Sequence, residues 1–176
     1  MEKKQLLLLI LALLMLPLAA DAQARTGGQK TENYPTVVNG HLAFMGISLA
    51  ETPATFKKRL QGKGFKVFQE YEGDVTLKGP VNGVSCLLYI SKGNVDVREY
   101  ESYTLSKAKV RFRQLVQQLE GIYGKGTRGE DNDEYNLSHE IKVAKGSIII
   151  SMHNEDEMDG SSDCYMVSAW YKDIRD

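Results

Sequence analysis

The stretch TLSKAKVRFRQLVQQLEGIYGKG, Thr104 to Gly126, decides how the rest of the chain is read. Leu105, Ala108, Phe112, Leu115, Leu119, Ile122 and Tyr123 recur at steps of three and four, with Val116 beside them. At about 3.6 residues per turn this spacing gathers them into one apolar stripe, as in a helix lying on a sheet. Thr104 is placed to cap the start, and Gly124 and Gly126 supply the positive φ that ends such helices.

Upstream of that helix, residues 66–71, 74–78, 84–90 and 95–103 read as strands, separated by turn formers such as Gly79-Pro80-Val81-Asn82-Gly83. Residues 84–90, VSCLLYI, are apolar at both parities, as expected of a central strand. Thr52-Pro53 opens a first, shorter helix over 53–61, with Phe56 and Leu60 one turn apart and Gly62 and Gly64 ending it. Before it, residues 36–45 contain Asn39-Gly40, a hairpin turn or a break between short strands. Downstream, residues 127–134 read as a polar loop, and 135–143, 147–153 and 164–171 as strands.

Each half, 41–103 and 104–174, therefore runs helix and then about three strands. This order predicts an α+β domain over residues 36–176: one antiparallel sheet with both helices on one face.

Residues 1–24 have the composition of a cleaved signal peptide: Lys3 and Lys4, an apolar run from Leu6 to Leu18, then Ala20-Asp21-Ala22 and Ala22-Gln23-Ala24. Pro17 breaks the run, which falls short of the roughly 20 residues that span a bilayer. The expectation is export to the periplasm or beyond, with no membrane span after cleavage. Residues 25–35 read as a flexible polar leader. The formal net charge of −1 lacks the basic footprint of a nucleic-acid binder. Cys86 and Cys164 are the only cysteines, and two readings stay open: one disulfide, or two separate buried thiols.

The pattern Phe44-Met45-Gly46-Ile47, then Lys63-Gly64-Phe65, then Tyr123-Gly124, ahead of a strand-rich tail ending Tyr171-Lys172-Asp173, resembles a family of small, uncharacterised exported proteins of Bacteroidales. The resemblance covers nearly all of the chain after residue 24, rests on turn glycines and core aromatics, and brings no catalytic residues with it. More distantly, a helix-plus-sheet unit used twice is similar in architecture to beta-lactamase inhibitory proteins and to small outer-membrane assembly lipoproteins. That likeness implies an inhibitor or accessory factor of an exported enzyme as an alternative role, and the chain departs from the lipoproteins in having no cysteine near residue 24.

Candidate chemistry is sparse. A cysteine enzyme would pair Cys86 or Cys164 with His41, His139 or His153 as base, yet Cys86 lies in the most apolar strand, where the neutral thiol is favoured. The histidines lack zinc spacing, and no other catalytic or cofactor motif is present. Glu155, Glu157 and Asp159 alternate ahead of Gly160 like the opening of a calcium loop, but Met166 stands where the closing carboxylate belongs.

Two surfaces are candidates for binding. Lys57, Lys58 and Arg59 on the first helix, with Lys107, Lys109, Arg111 and Arg113 on the second, form a basic face fit to steer an anionic partner. In the last strand, alternation puts Tyr165 and Tyr171 on one face and Trp170 on the other, so one set is core and the other open to contact. The reading is a non-enzymatic exported module without cofactor that binds a protein or a glycan.

Overall fold

The computed structural model describes residues 34–72, 74–130, 132–155 and 164–174. The expected signal peptide, residues 25–33 of the leader, and the calcium candidates Glu157 and Asp159 lie outside them.

Three short strands come first: β1 (Val37–Val38), β2 (His41–Phe44) and β3 (Ile47–Ser48). Asn39 and Gly40 both take positive φ (54° and 78°), so Asn39-Gly40 closes the β1–β2 hairpin. Helix α1 (Pro53–Gly62) follows, and Thr52 caps it by accepting the Thr55 N–H at 3.3 Å. Four strands form a meander: β4 (Lys66–Tyr71), β5 (Asp74–Val81), β6 (Val84–Ser91) and β7 (Asn94–Glu99). Helix α2 (Leu105–Tyr123) begins the second half and stops at Gly124, φ 101°. Four more strands complete the fold: β8 (Thr127–Arg128), β9 (Leu137–Val143), β10 (Gly146–Asn154) and β11 (Tyr165–Asp173).

The fold is mixed α+β and its strand pairs are antiparallel, but the expected single sheet with both helices on one face is corrected. The strands form two sheets: a small one, β1-β2-β3, and an eight-stranded one ordered β4-β5-β6-β7-β11-β10-β9-β8. Each half contributes four strands to the large sheet, and the halves meet where β7 pairs with β11. The sequence reading omits two strands, β3 and β8, each of two residues and too short for any periodicity to register.

Register decides which side of the large sheet is buried. Leu77, Leu88, Val97, Ala169 and Ile150 face one another across five adjacent strands, and Val75, Ile90, Val95, Tyr171, Ile148 and Ile141 form the next row. All eleven are core residues, joined there by Phe56 and Leu60 of α1, by Ala108, Phe112, Leu115 and Leu119 of α2, and by Leu42, Phe44 and Ile47 of the small sheet. Helix α1 lies against β3, β5 and β6, and α2 against β9, β10 and β11. Ile122, expected in the α2 stripe, is 48% exposed, and its neighbour Tyr123 takes the core-facing position of that last turn.

The small sheet is pinned to the large one by polar contacts as well as packing. The Asp173 carboxylate, fully buried, accepts the Leu42 N–H at 3.2 Å and pairs with His41 Nδ1 at 2.9 Å. Pro80 falls within β5 and is tolerated there because β4 begins opposite Lys78, so that end of β5 has no neighbour on the β4 side to receive an N–H. Strand β4 forms one edge of the sheet and is interrupted between Val67 and Gln69, an irregularity that weakens it as a template for further strands.

Candidate functional site

The opposite parity of the large sheet turns away from the core. One row runs Thr76, Tyr89, Asp96, Trp170, Ile149 and Glu140 across β5, β6, β7, β11, β10 and β9. The next runs Lys78, Leu87, Arg98, Ser168, Ser151 and Ser138. Tyr89 and Trp170 are each 38% exposed although they stand on interior strands of the sheet. Open-face aromatics at the middle of a sheet contribute nothing to its core, and they cost solvation that a ligand would recover.

Each of three aromatics on this face has a cation beside it. Arg98 Cζ lies 4.4 Å from the Tyr89 ring centre, Lys78 Nζ 3.2 Å from that of Tyr100, and Lys172 Nζ 5.5 Å from that of Trp170. Arg98 Nε also donates to Asp96 Oδ2 at 2.7 Å, while Asp96 Oδ1 is enclosed without a hydrogen-bond partner. Ser151 and Ser168 share a hydrogen bond of 2.8 Å between their hydroxyls. A cavity of about 200 Å³ opens between Tyr89 and Tyr100, lined also by Leu87, Arg98, Met166, Ser102, Glu99, Glu101 and Glu155.

The sequence-derived site residues separate. Trp170 reaches the open face as a surface aromatic. Tyr165 and Tyr171 do not: they are 2% and 5% exposed, and Tyr171 meets Phe44 and Tyr123 edge to face at 5.1 and 6.0 Å. Both are core, because the parity of β11 that they share with Val167 and Ala169 faces the helices. Burial drives the Tyr171 hydroxyl well above its ordinary pKa, so it stays neutral. Tyr89 and Tyr100, strand aromatics whose face the sequence leaves open, join Trp170 there, and Arg98 is the open-face residue that sequence reasoning missed. The signal was available as alternation in residues 95–103, but no parity argument links β6 to β11 before the register is known.

Three of the seven cations of the basic helix face are held in ion pairs among the described residues. Lys57 pairs with Glu70 at 2.5 Å and Arg59 with Glu51 at 2.9 Å. Arg111 turns inward: its Nε and Nη2 reach Glu99 Oε1 at 2.7 and 2.6 Å, and the Tyr103 hydroxyl donates to Glu99 Oε2 at 2.5 Å. Burial, with that carboxylate beside it, holds the Tyr103 hydroxyl far above its usual range. Lys107 remains exposed, beside Arg111 in an open groove of about 390 Å³ along α2 that also includes Tyr103 and Val110. Arg111 is thus a structural ion-pair partner first, while Lys58, Lys107 and Arg113 stay exposed at the surface.

Both cysteines are thiols, Cys86 buried and Cys164 partly exposed. Burial, with the Glu99 carboxylate across the β6–β7 pair, pushes the Cys86 thiol up to about 12. At neutral pH it is protonated and donates to the Val84 carbonyl at 3.4 Å. His41 and His139 are engaged by Asp173 and Glu120 at 2.9 and 3.1 Å. Among the described residues no three His, Cys, Asp or Glu side chains cluster as metal ligands, and no helix is long and apolar enough to cross a membrane. Glu155, the one calcium candidate described, lies at the rim of the Tyr89–Tyr100 cavity. Compared with known proteins, the chain matches no family model, no curated protein and no solved structure.

Proposed function

We propose that this chain is an exported, non-enzymatic binding module whose contact surface is the open face of the eight-stranded sheet. The observation that carries the reading is Trp170: a large aromatic at the middle of a sheet, turned to solvent, in one row with Tyr89. Surface rings of this kind, flanked by cations and hydroxyls, are what recognition sites use to combine desolvation with directional contacts. The low reactivity expected of the Cys86 thiol and the engagement of His41 and His139 favour binding over cysteine catalysis.

The test is retention of envelope material on the immobilised chain, comparing the unmodified protein with Trp170→Ala and with a control at Arg113, an exposed position on α2. Loss of retention with Trp170→Ala alone supports the reading. Retention indifferent to Trp170 places the contact elsewhere and ends it. Export is checked separately, by the mass of the protein recovered from the producing cell: loss of the first 22–24 residues is expected. Were the chain an inhibitor or accessory factor, the retained species would be an enzyme.

A further inference from the structure

We propose that the open face binds a neutral glycan, one sugar ring entering the cavity between Tyr89 and Tyr100 and the chain continuing across the sheet over Trp170. This rests on the open face being the contact surface and assigns it a ligand class. Three observations carry it.

The cavity is the first. Its volume of about 200 Å³ is small for a helix or a strand of a partner protein, and two tyrosines, Tyr89 and Tyr100, are part of its lining. The two faces of a pyranose differ from a flat apolar group: C–H bonds point above and below the ring, and hydroxyls project around its edge. Aromatic walls suit the first and a polar rim the second.

The sign of the rim is the second. Arg98 offers donors, while Glu101 and Glu155 offer acceptors. A hydroxyl both donates and accepts, so it satisfies both kinds of group at once. A polyanion would meet the carboxylates of Glu99, Glu101 and Glu155 unfavourably. Arg98, the cation in the lining, is already paired with Asp96, which leaves Lys78 beside Tyr100 as the one cation near it without a carboxylate among the described residues. The lining therefore selects uncharged hydroxyls over sulfates or uronates.

Spacing is the third. Tyr89 and Trp170 stand in one cross-strand row with β7 between them, which sets them about 10 Å apart. A glycan leaving the cavity along this row crosses β7 at Asp96 before reaching the indole.

Trp170 is the only tryptophan of the chain, so its fluorescence reports directly on this row. The full-length protein, freed of any cleaved segment by the producing cell, is applied to an array of neutral and acidic glycans, and hits are titrated by tryptophan emission. The expected result is binding to neutral hexose or pentose glycans with a change in emission. Raising salt from about 0.05 to about 0.5 M leaves affinity within about threefold. Tyr89→Ala and Tyr100→Ala each weaken binding about tenfold with Tm unchanged, since both rings are exposed. No glycan bound, or only sulfated and uronic glycans bound with steep salt dependence, overturns the inference. If glycans fail while Trp170→Ala still abolishes capture of an envelope protein, the contact surface stands and its ligand is a protein. If neither class responds to Trp170→Ala, the surface itself is refuted.

Discussion

Arg111 on α2 and Glu99 at the end of β7 form a forked ion pair, with contacts of 2.6 and 2.7 Å and side-chain exposures of only 19% and 4%. The pair fastens the second helix to the last strand of the first half, and Tyr103 closes it with a third hydrogen bond to the same carboxylate. A buried carboxylate held in this way depends on its partners, because desolvation of the charge is offset only by the bonds it receives.

Arg111→Ala is therefore expected to cost about 3 kcal/mol in urea unfolding, since it strands the Glu99 charge in the core. The double replacement Glu99→Leu with Arg111→Met is expected to cost less than Arg111→Ala alone, because no charge is left unpaired. Additive losses in this cycle would show that the pair is not coupled.

Gly79 lies against Phe65, and a Cβ built on it would stand 2.4 Å from the ring. Gly79→Ala should force the Phe65 ring from its place over the end of α1 and cost about 1–3 kcal/mol. Adding Phe65→Leu to Gly79→Ala should restore part of that loss. Thermal melts of the three variants decide it, and a Gly79→Ala protein as stable as the parent would contradict the packing.

The two thiols should differ in reactivity. With Cys86 buried and its pKa near 12, iodoacetamide at about pH 8 is expected to modify only Cys164 in the folded protein and both cysteines in urea. Mass spectrometry of the labelled chain reads this directly. Rapid modification of folded Cys86 would reopen the cysteine-enzyme reading.

Glu120 carries the clearest pH signature. A hydrogen bond from Lys125, the Gly126 N–H and His139 hold its carboxyl down to about 2, against an ordinary value of 4.5. A depressed folded-state pKa means stability that is fully present above the unfolded value of 4.5 and lost as pH falls toward 2. The Tm difference between the parent and Glu120→Gln should accordingly be constant above about pH 5.5 and shrink toward zero near the folded value. A difference independent of pH across that window would mean that the charge of Glu120 is not what the contacts hold.

What local pattern encodes, the sequence made legible. The α2 stripe, the Thr52-Pro53 start of α1, the Asn39-Gly40 turn and the interior strands β6 and β10 follow from periods of 3.6 and 2 and from residues with restricted backbones, all of which act within a few positions of the chain. Pairing between distant strands decided the rest. Whether Tyr171 or Trp170 faces outward depends on which parity of β11 meets Val95 and Val97 of β7, more than 70 positions earlier, and a shift of one residue would have exchanged them. The same long-range register aligns Tyr89 with Trp170, turns Arg111 inward to Glu99, and separates β1–β3 into a sheet of their own. Burial and charge pairing act through space, and the linear chain does not carry the distances on which they depend.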